Sequence, residues 1–96
     1  MDQMKREELA VRALPGRGIA DAVGPNGPVV TNGMNVGFGL YSAEYGPMAP
    51  HHHAEECVYI KAADRAWVEY GGEPEHLLHK APLETGMLLH FPENEW

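Results

Sequence analysis

Disulfide bonds, long apolar runs and basic surfaces are the features this sequence lacks. The chain of 96 residues has one cysteine, Cys57, so no disulfide can form within it, and we expect a reducing compartment, the cytoplasm. No apolar run approaches the roughly 18 residues that a membrane span needs, and the first residues contain no apolar block of the signal-peptide type. Acidic residues number 14 against 7 basic ones, so we expect neither nucleic acid nor an anionic membrane as a partner.

Glycine and proline, by contrast, are frequent from Pro15 to Gly39 and mark tight turns between short strands. Residues 1–14 predict a short helix or a loose arm, and we divide the chain into an N-terminal arm, 1–17, and a β-domain, 18–96. Turns are expected at Gly71-Gly72 and at 84–86. Alternating or β-branched segments predict strands near 34–40, 57–60, 66–70, 75–81 and 87–91. This spacing predicts an all-β fold, an antiparallel sandwich or barrel.

Three consecutive histidines, 51–53, are the most unusual local feature. In extended chain His51 and His53 project to the same face. With a carboxylate nearby they would form the two-histidine, one-carboxylate set that suits iron, manganese, nickel, cobalt or zinc. Glu56, which opens the next strand, is the preferred carboxylate, and Glu55 is the alternative. The competing interpretation is a solvated polar turn without a metal.

The segment from Gly46 through His51-x-His53 to Glu56 resembles the first motif of the cupin superfamily. The later stretch GMLLHFPENEW resembles the second motif, with Gly86 and Pro92 at the matching spacing. Asn94 stands where cupins usually have glycine, and both residue types tolerate positive φ. The resemblance covers residues 34–96.

The first motif departs from the cupin pattern in its spacing. Only two residues separate His53 from Glu56, so the turn between them is one residue short. Pairing His52 with Glu56 would restore the spacing, but it would place Pro50, which cannot bind a metal, at the first ligand position. We therefore assign His51, His53 and Glu56 as metal ligands. The second motif of cupins ends in a histidine ligand, which would follow Trp96, so the sequence looks truncated within that motif.

The resemblance implies an antiparallel cupin-type β-barrel, or jelly roll, that holds a divalent transition metal and acts on a small organic molecule. The reaction would be that of an oxygenase, a lyase or an isomerase. A non-catalytic cupin that binds or senses a small molecule is the alternative. The resemblance also implies a homodimer.

Four further positions carry expectations about burial. Cys57 alternates with Glu56 and is expected to be a buried structural thiol. Trp67 and Tyr59 are expected in the core. His90, in the strand MLLHF, is expected to face solvent or a hydrogen-bond partner.

Overall fold

The computed structural model describes all residues from 1 to 96 and is all-β, with helix at only 3%. A single 3₁₀ turn, Arg6–Glu8, precedes seven strands. The strands are β1 (Arg12–Leu14), β2 (Arg17–Val23), β3 (Val36–Leu40), β4 (Glu56–Tyr59), β5 (Ala66–Glu73), β6 (His76–Leu83) and β7 (Leu88–Phe91). They form three antiparallel sheets, ordered β1-β2-β3, β4-β7 and β5-β6. No ladder joins one sheet to another, so the strands do not close into a barrel by hydrogen bonding.

The predicted strands are present, with shifts at their ends. The alternating segment 34–40 becomes β3 from Val36, and the apolar run 87–91 becomes β7. The N-terminal segment is more extended than expected, since residues 12–14 already form β1 and the helical part is one turn. Gly71 and Gly72 lie inside β5 with φ of 78° and 83° rather than in a connecting turn.

The chain divides into two compact units, and the first comprises Met1–Ala49. Its central strand β2 alternates half-buried and buried positions, and the buried face carries only glycine and alanine. Ala20 and Ala22, together with Leu9, are the buried apolar residues of the chain. Small side chains on β2 let Tyr45 approach closely, since a Cβ at Gly18 would lie 2.6 Å from its hydroxyl oxygen.

Two glycines with positive φ shape the end of this unit. Gly16 has φ of 84° and donates its N–H to the carbonyl of Tyr45 at 3.1 Å. Gly46, the first glycine of the cupin-like motif, has φ of 76° and open space where a Cβ would be. Glycine is therefore favoured at position 46 for its backbone conformation, because left-handed φ is unfavourable for most other residues.

The second unit comprises Pro50–Trp96 and contains the β4-β7 and β5-β6 pairs. Each strand has one half-buried face, and no side chain of this unit is fully buried. The expectations for Cys57, Trp67 and Tyr59 are wrong. Cys57 is exposed, and the exposed fractions of Trp67 and Tyr59 are 55% and 64%. Strand alternation predicted two faces for each strand, but not which face would be covered.

No helix in the structure has the length and apolar character needed to cross a membrane.

Candidate functional site

The β4-β7 ladder determines where Glu56 lies. Glu56 pairs with Phe91, and Val58 pairs with Leu89, so these four side chains share one face. All four positions are half-buried, and the opposite face is exposed. Glu56 therefore places a carboxylate at the edge of the apolar face of this two-stranded sheet.

The loop that carries the three histidines 51–53, called the histidine loop below, leads directly into β4, and two of its histidine rings lie close together. The rings of His51 and His53 meet edge to face, with centroids 4.8 Å apart. The Nε2 atom of His53 lies 3.7 Å from Oε2 of Glu56. The three residues assigned from the sequence therefore form a continuous chain of contacts, from His51 through His53 to Glu56.

His52 and Glu55, the alternatives to the assigned residues, make contacts elsewhere. The ring of His52 packs edge to face on Trp96, with centroids 4.5 Å apart. Oε1 of Glu55 lies 2.8 Å from Nε2 of His90. His90 is exposed and has this hydrogen-bond partner, as the sequence predicted.

The segment after β7 is hydrogen-bonded to the histidine loop, a contact that was not predicted from the sequence. The backbone N–H of Asn94 donates to the carbonyl of His53 at 2.9 Å, and Gly71 donates to the carbonyl of Trp96 at 2.7 Å. Asn94 has φ of 64°, a positive value that asparagine tolerates. The β4-β7 ladder brings Asn94 beside this loop, since Glu56 at the start of β4 pairs with Phe91 at the end of β7.

The donor set can be compared with what a metal requires. Two atoms that bind one tetrahedral zinc ion at about 2.0–2.2 Å lie about 3.3–3.6 Å from each other. The nitrogen of His53 and the oxygen of Glu56 are 3.7 Å apart, within about 0.4 Å of that separation. No group of three or more His, Cys, Asp or Glu side chains converges closely enough to hold an ion. The donor types fit a divalent transition metal, and the three side chains would have to converge on the ion for it to bind.

A cavity of about 260 Å³ opens beside β7. Its walls are mainly apolar and aromatic, and His90 and Glu95 add polar atoms. Its walls include Val68, Tyr70, Leu89, Phe91, His90 and Glu95. Leu89 and Phe91 share the face of Glu56, whereas His90 belongs to the opposite face of β7.

The first unit contains an ion pair that the sequence did not reveal. Arg12 Nε donates to Asp21 Oδ2 at 2.7 Å, and the side chain of Asp21 is only 15% exposed. This hydrogen bond, supported by the charge of Arg12, holds the pKa of Asp21 below its ordinary value of 3.8, although partial burial opposes the shift. The register of β1 and β2 explains the contact. Arg12 is paired with Ile19, and Asp21 lies two residues further along β2 on the same face, within reach of the arginine side chain.

Comparison of the chain with protein-family models, curated proteins and solved structures finds no match. The cupin resemblance therefore depends on the two motifs themselves.

Proposed function

We propose that this protein is a small cytoplasmic cupin in which His51, His53 and Glu56 bind a divalent transition metal next to a small-molecule pocket. In this proposal the strands belong to a cupin-type jelly roll, and the metal is iron, manganese, nickel, cobalt or zinc. The chain is an enzyme of the oxygenase, lyase or isomerase type that acts on a small organic molecule.

One observation carries the proposal: the contact chain from His51 through His53 to Glu56 involves the residues that the first motif singles out. Their neighbours of the same chemical type, His52 and Glu55, are engaged with Trp96 and His90. The backbone bond from Asn94 to His53 adds support, since it connects the two motifs at the loop.

The chemistry follows from the donor set and its surroundings. A bound divalent metal supplies a Lewis acid that polarises a substrate oxygen. Neutral imidazoles of His51 and His53 and an ionised Glu56 are the binding forms, and together they leave positive charge on a divalent ion for an anionic substrate group. Val58, Leu89 and Phe91, on the face of Glu56, would contact the apolar part of the substrate.

Zinc titration by calorimetry, with every variant and its reference protein carrying Cys57→Ser so that no sulfur ligand is present, tests the assignment. His51→Ala and His53→Ala should each weaken zinc binding by at least about 10- to 100-fold, the loss seen when even an outer partner of a ligand is removed. His52→Ala is the matched control and should bind zinc as the reference protein does, because the ring of His52 lies on Trp96. Loss of binding in His52→Ala alone would shift the ligand assignment by one residue.

A non-catalytic small-molecule cupin is the second candidate, and the cavity beside β7 favours it. Its volume of about 260 Å³ is slightly below the usual range for ligand pockets, so it suits a small ligand. Ligand binding that persists after metal removal, and weakens when Phe91 is replaced by alanine, would favour this candidate. An enzyme of the first type would need the metal for turnover.

The proposed assembly is a homodimer. Strand β3, Val36–Leu40, is an edge strand with a neighbour on one side only, and it contains neither charge nor proline. Such unprotected edges favour pairing with another strand. Val36 and Phe38 are partly exposed on it, and a second copy would cover them. Sedimentation at micromolar concentration should give a dimer, which Val36→Lys should weaken, and a monomeric mass for the unmodified protein would contradict the proposal.

A further inference from the structure

We propose that Cys57, His90 and Glu55 form a second metal site, selective for zinc-like ions, on the exposed face of the β4-β7 sheet. Cys57 and His90 are paired residues of the antiparallel ladder, so their side chains project to the same face. This face is opposite to the one that carries Glu56. The second site is therefore separate from the site of the proposed function and does not depend on it.

The hydrogen-bond alternation of the ladder brings Cys57 and His90 close together. Ile60 donates its N–H to the carbonyl of Met87 at 2.8 Å, which makes that pair a hydrogen-bonded one. Pairs in an antiparallel ladder alternate, so Cys57 and His90, three positions along, form a non-hydrogen-bonded pair. Such pairs have the closer Cα separation, about 4.5 Å, and their side chains are in mutual reach.

Glu55 supplies the third donor atom, and its carboxylate is already hydrogen-bonded to the imidazole of His90. Its Oε1 lies 2.8 Å from Nε2 of His90, about 0.5–0.8 Å less than the separation of two atoms bound to one tetrahedral zinc. The exposed fractions of the two side chains are 52% for His90 and 72% for Glu55. An ion can therefore approach from solvent and replace the hydrogen bond with two metal bonds.

The thiol has to move to complete the set, since no three such side chains converge in the structure. Cys57 is exposed, so rotation about its Cα–Cβ bond meets no packed core. Sulfur, nitrogen and oxygen donors in a tetrahedron suit zinc, with water as the fourth ligand. The thiolate distinguishes this set from His51, His53 and Glu56, which contains no sulfur.

Cobalt(II) titration of the full chain, followed by absorption spectroscopy, tests the second site. A cobalt–thiolate bond produces an intense near-ultraviolet charge-transfer band, which nitrogen and oxygen ligands alone do not produce. We expect this band in the unmodified protein and its complete loss in Cys57→Ser. His90→Ala should weaken the cobalt affinity read from this band by at least about 10-fold. His53→Ala should leave the band unchanged, and this result separates the two sites.

His79→Ala removes an exposed histidine of β6 and serves as the matched control, which should retain the band. Far-ultraviolet circular dichroism confirms folding, and the substitutions at exposed positions 57 and 90 should preserve it. Absence of the band in the unmodified protein would overturn the proposal. So would a band that His90→Ala leaves unchanged, or one that grows with protein concentration at fixed metal ratio, since Cys57 from two molecules would then share the ion.

Discussion

Replacement of Gly16 by alanine should destabilise the first unit far more than replacement of Gly46. Both glycines have positive φ, 84° and 76°. An alanine at either position therefore carries the same conformational penalty of roughly 1–2 kcal/mol, reduced by about 0.4–1 kcal/mol because alanine restricts the unfolded chain. The two positions differ in the room that is available for a Cβ atom. A Cβ at Gly16 would lie 2.6 Å from the Cα of Met48, whereas a Cβ at Gly46 has nothing within 4 Å.

The contact at Gly16 is with backbone, so it cannot be relieved by turning a side chain. Overpacking of this kind costs about 1–3 kcal/mol. We expect Gly46→Ala to lower the free energy of unfolding by about 0.5–1.5 kcal/mol and Gly16→Ala by about 2–4 kcal/mol. A difference of about 2 kcal/mol corresponds to roughly 30-fold in the unfolding equilibrium.

Amide hydrogen exchange measured by NMR at Ile19 and Ala20 reports this difference locally, because these residues lie in β2 beside the buried face. Tryptophan fluorescence would not serve, since both tryptophans belong to the second unit. Equal protection in the two variants, or greater loss in Gly46→Ala, would refute the steric argument and the approach of Met48 to Gly16 on which it depends.

Three further predictions concern single side chains. Because the pKa of Asp21 is lowered in the folded state, its carboxylate stabilises the protein above about pH 4, and this stabilisation is lost as pH falls through the folded-state pKa. The free energy of unfolding of Asp21→Asn should therefore depend less on pH in the acid range than that of the unmodified protein. Asn94→Ala should weaken zinc binding in calorimetry and Asn94→Gly should preserve it, because the φ of 64° that presents the N–H to His53 suits glycine but not alanine; equal effects would contradict the role of that backbone bond. Arg65 has φ of 51°, so Arg65→Asn should raise the free energy of unfolding of the protein by up to about 1 kcal/mol, measured by urea unfolding. A lower free energy of unfolding would show that the arginine side chain stabilises the protein by more than its backbone strain destabilises it.

Strands β3 to β7 could be predicted because they depend on local residue types, whereas no strand was predicted at the positions of β1 and β2. The short apolar run at 87–91 and the alternation at 34–40 favour extended chain. The position of Gly71 and Gly72 could not be predicted in the same way. Local preference favours a turn there, but the N–H of Gly71 bonds to the carbonyl of Trp96, a partner 25 residues further along, and the pair stays inside β5.

In the candidate site, too, local features could be predicted from the sequence and contacts between distant segments could not. His51, His53 and Glu56 were selected from the spacing of the first motif-like segment, and their role as metal ligands stays a prediction. The contacts of Glu55 with His90 and of Asn94 with His53 join segments that are distant in sequence. The exposure of Trp67 was missed because alternation cannot say which face is covered. Its ring instead packs under Lys80, whose Nζ lies 4.4 Å from the ring centroid.

X-ray absorption at the zinc edge, measured on the zinc-loaded Cys57→Ser protein, tests the proposed metal site most directly. This variant removes sulfur from the second site, so the remaining signal reports nitrogen and oxygen ligands. The proposed site predicts two imidazoles at about 2.0–2.1 Å, with the outer-ring scattering typical of histidine, and one or more oxygens at about 2.0–2.2 Å. His53→Ala in the same background should remove one imidazole from the spectrum. A shell without imidazole scattering, or one that His53→Ala leaves unchanged, would contradict the assignment of His51, His53 and Glu56 as the metal centre.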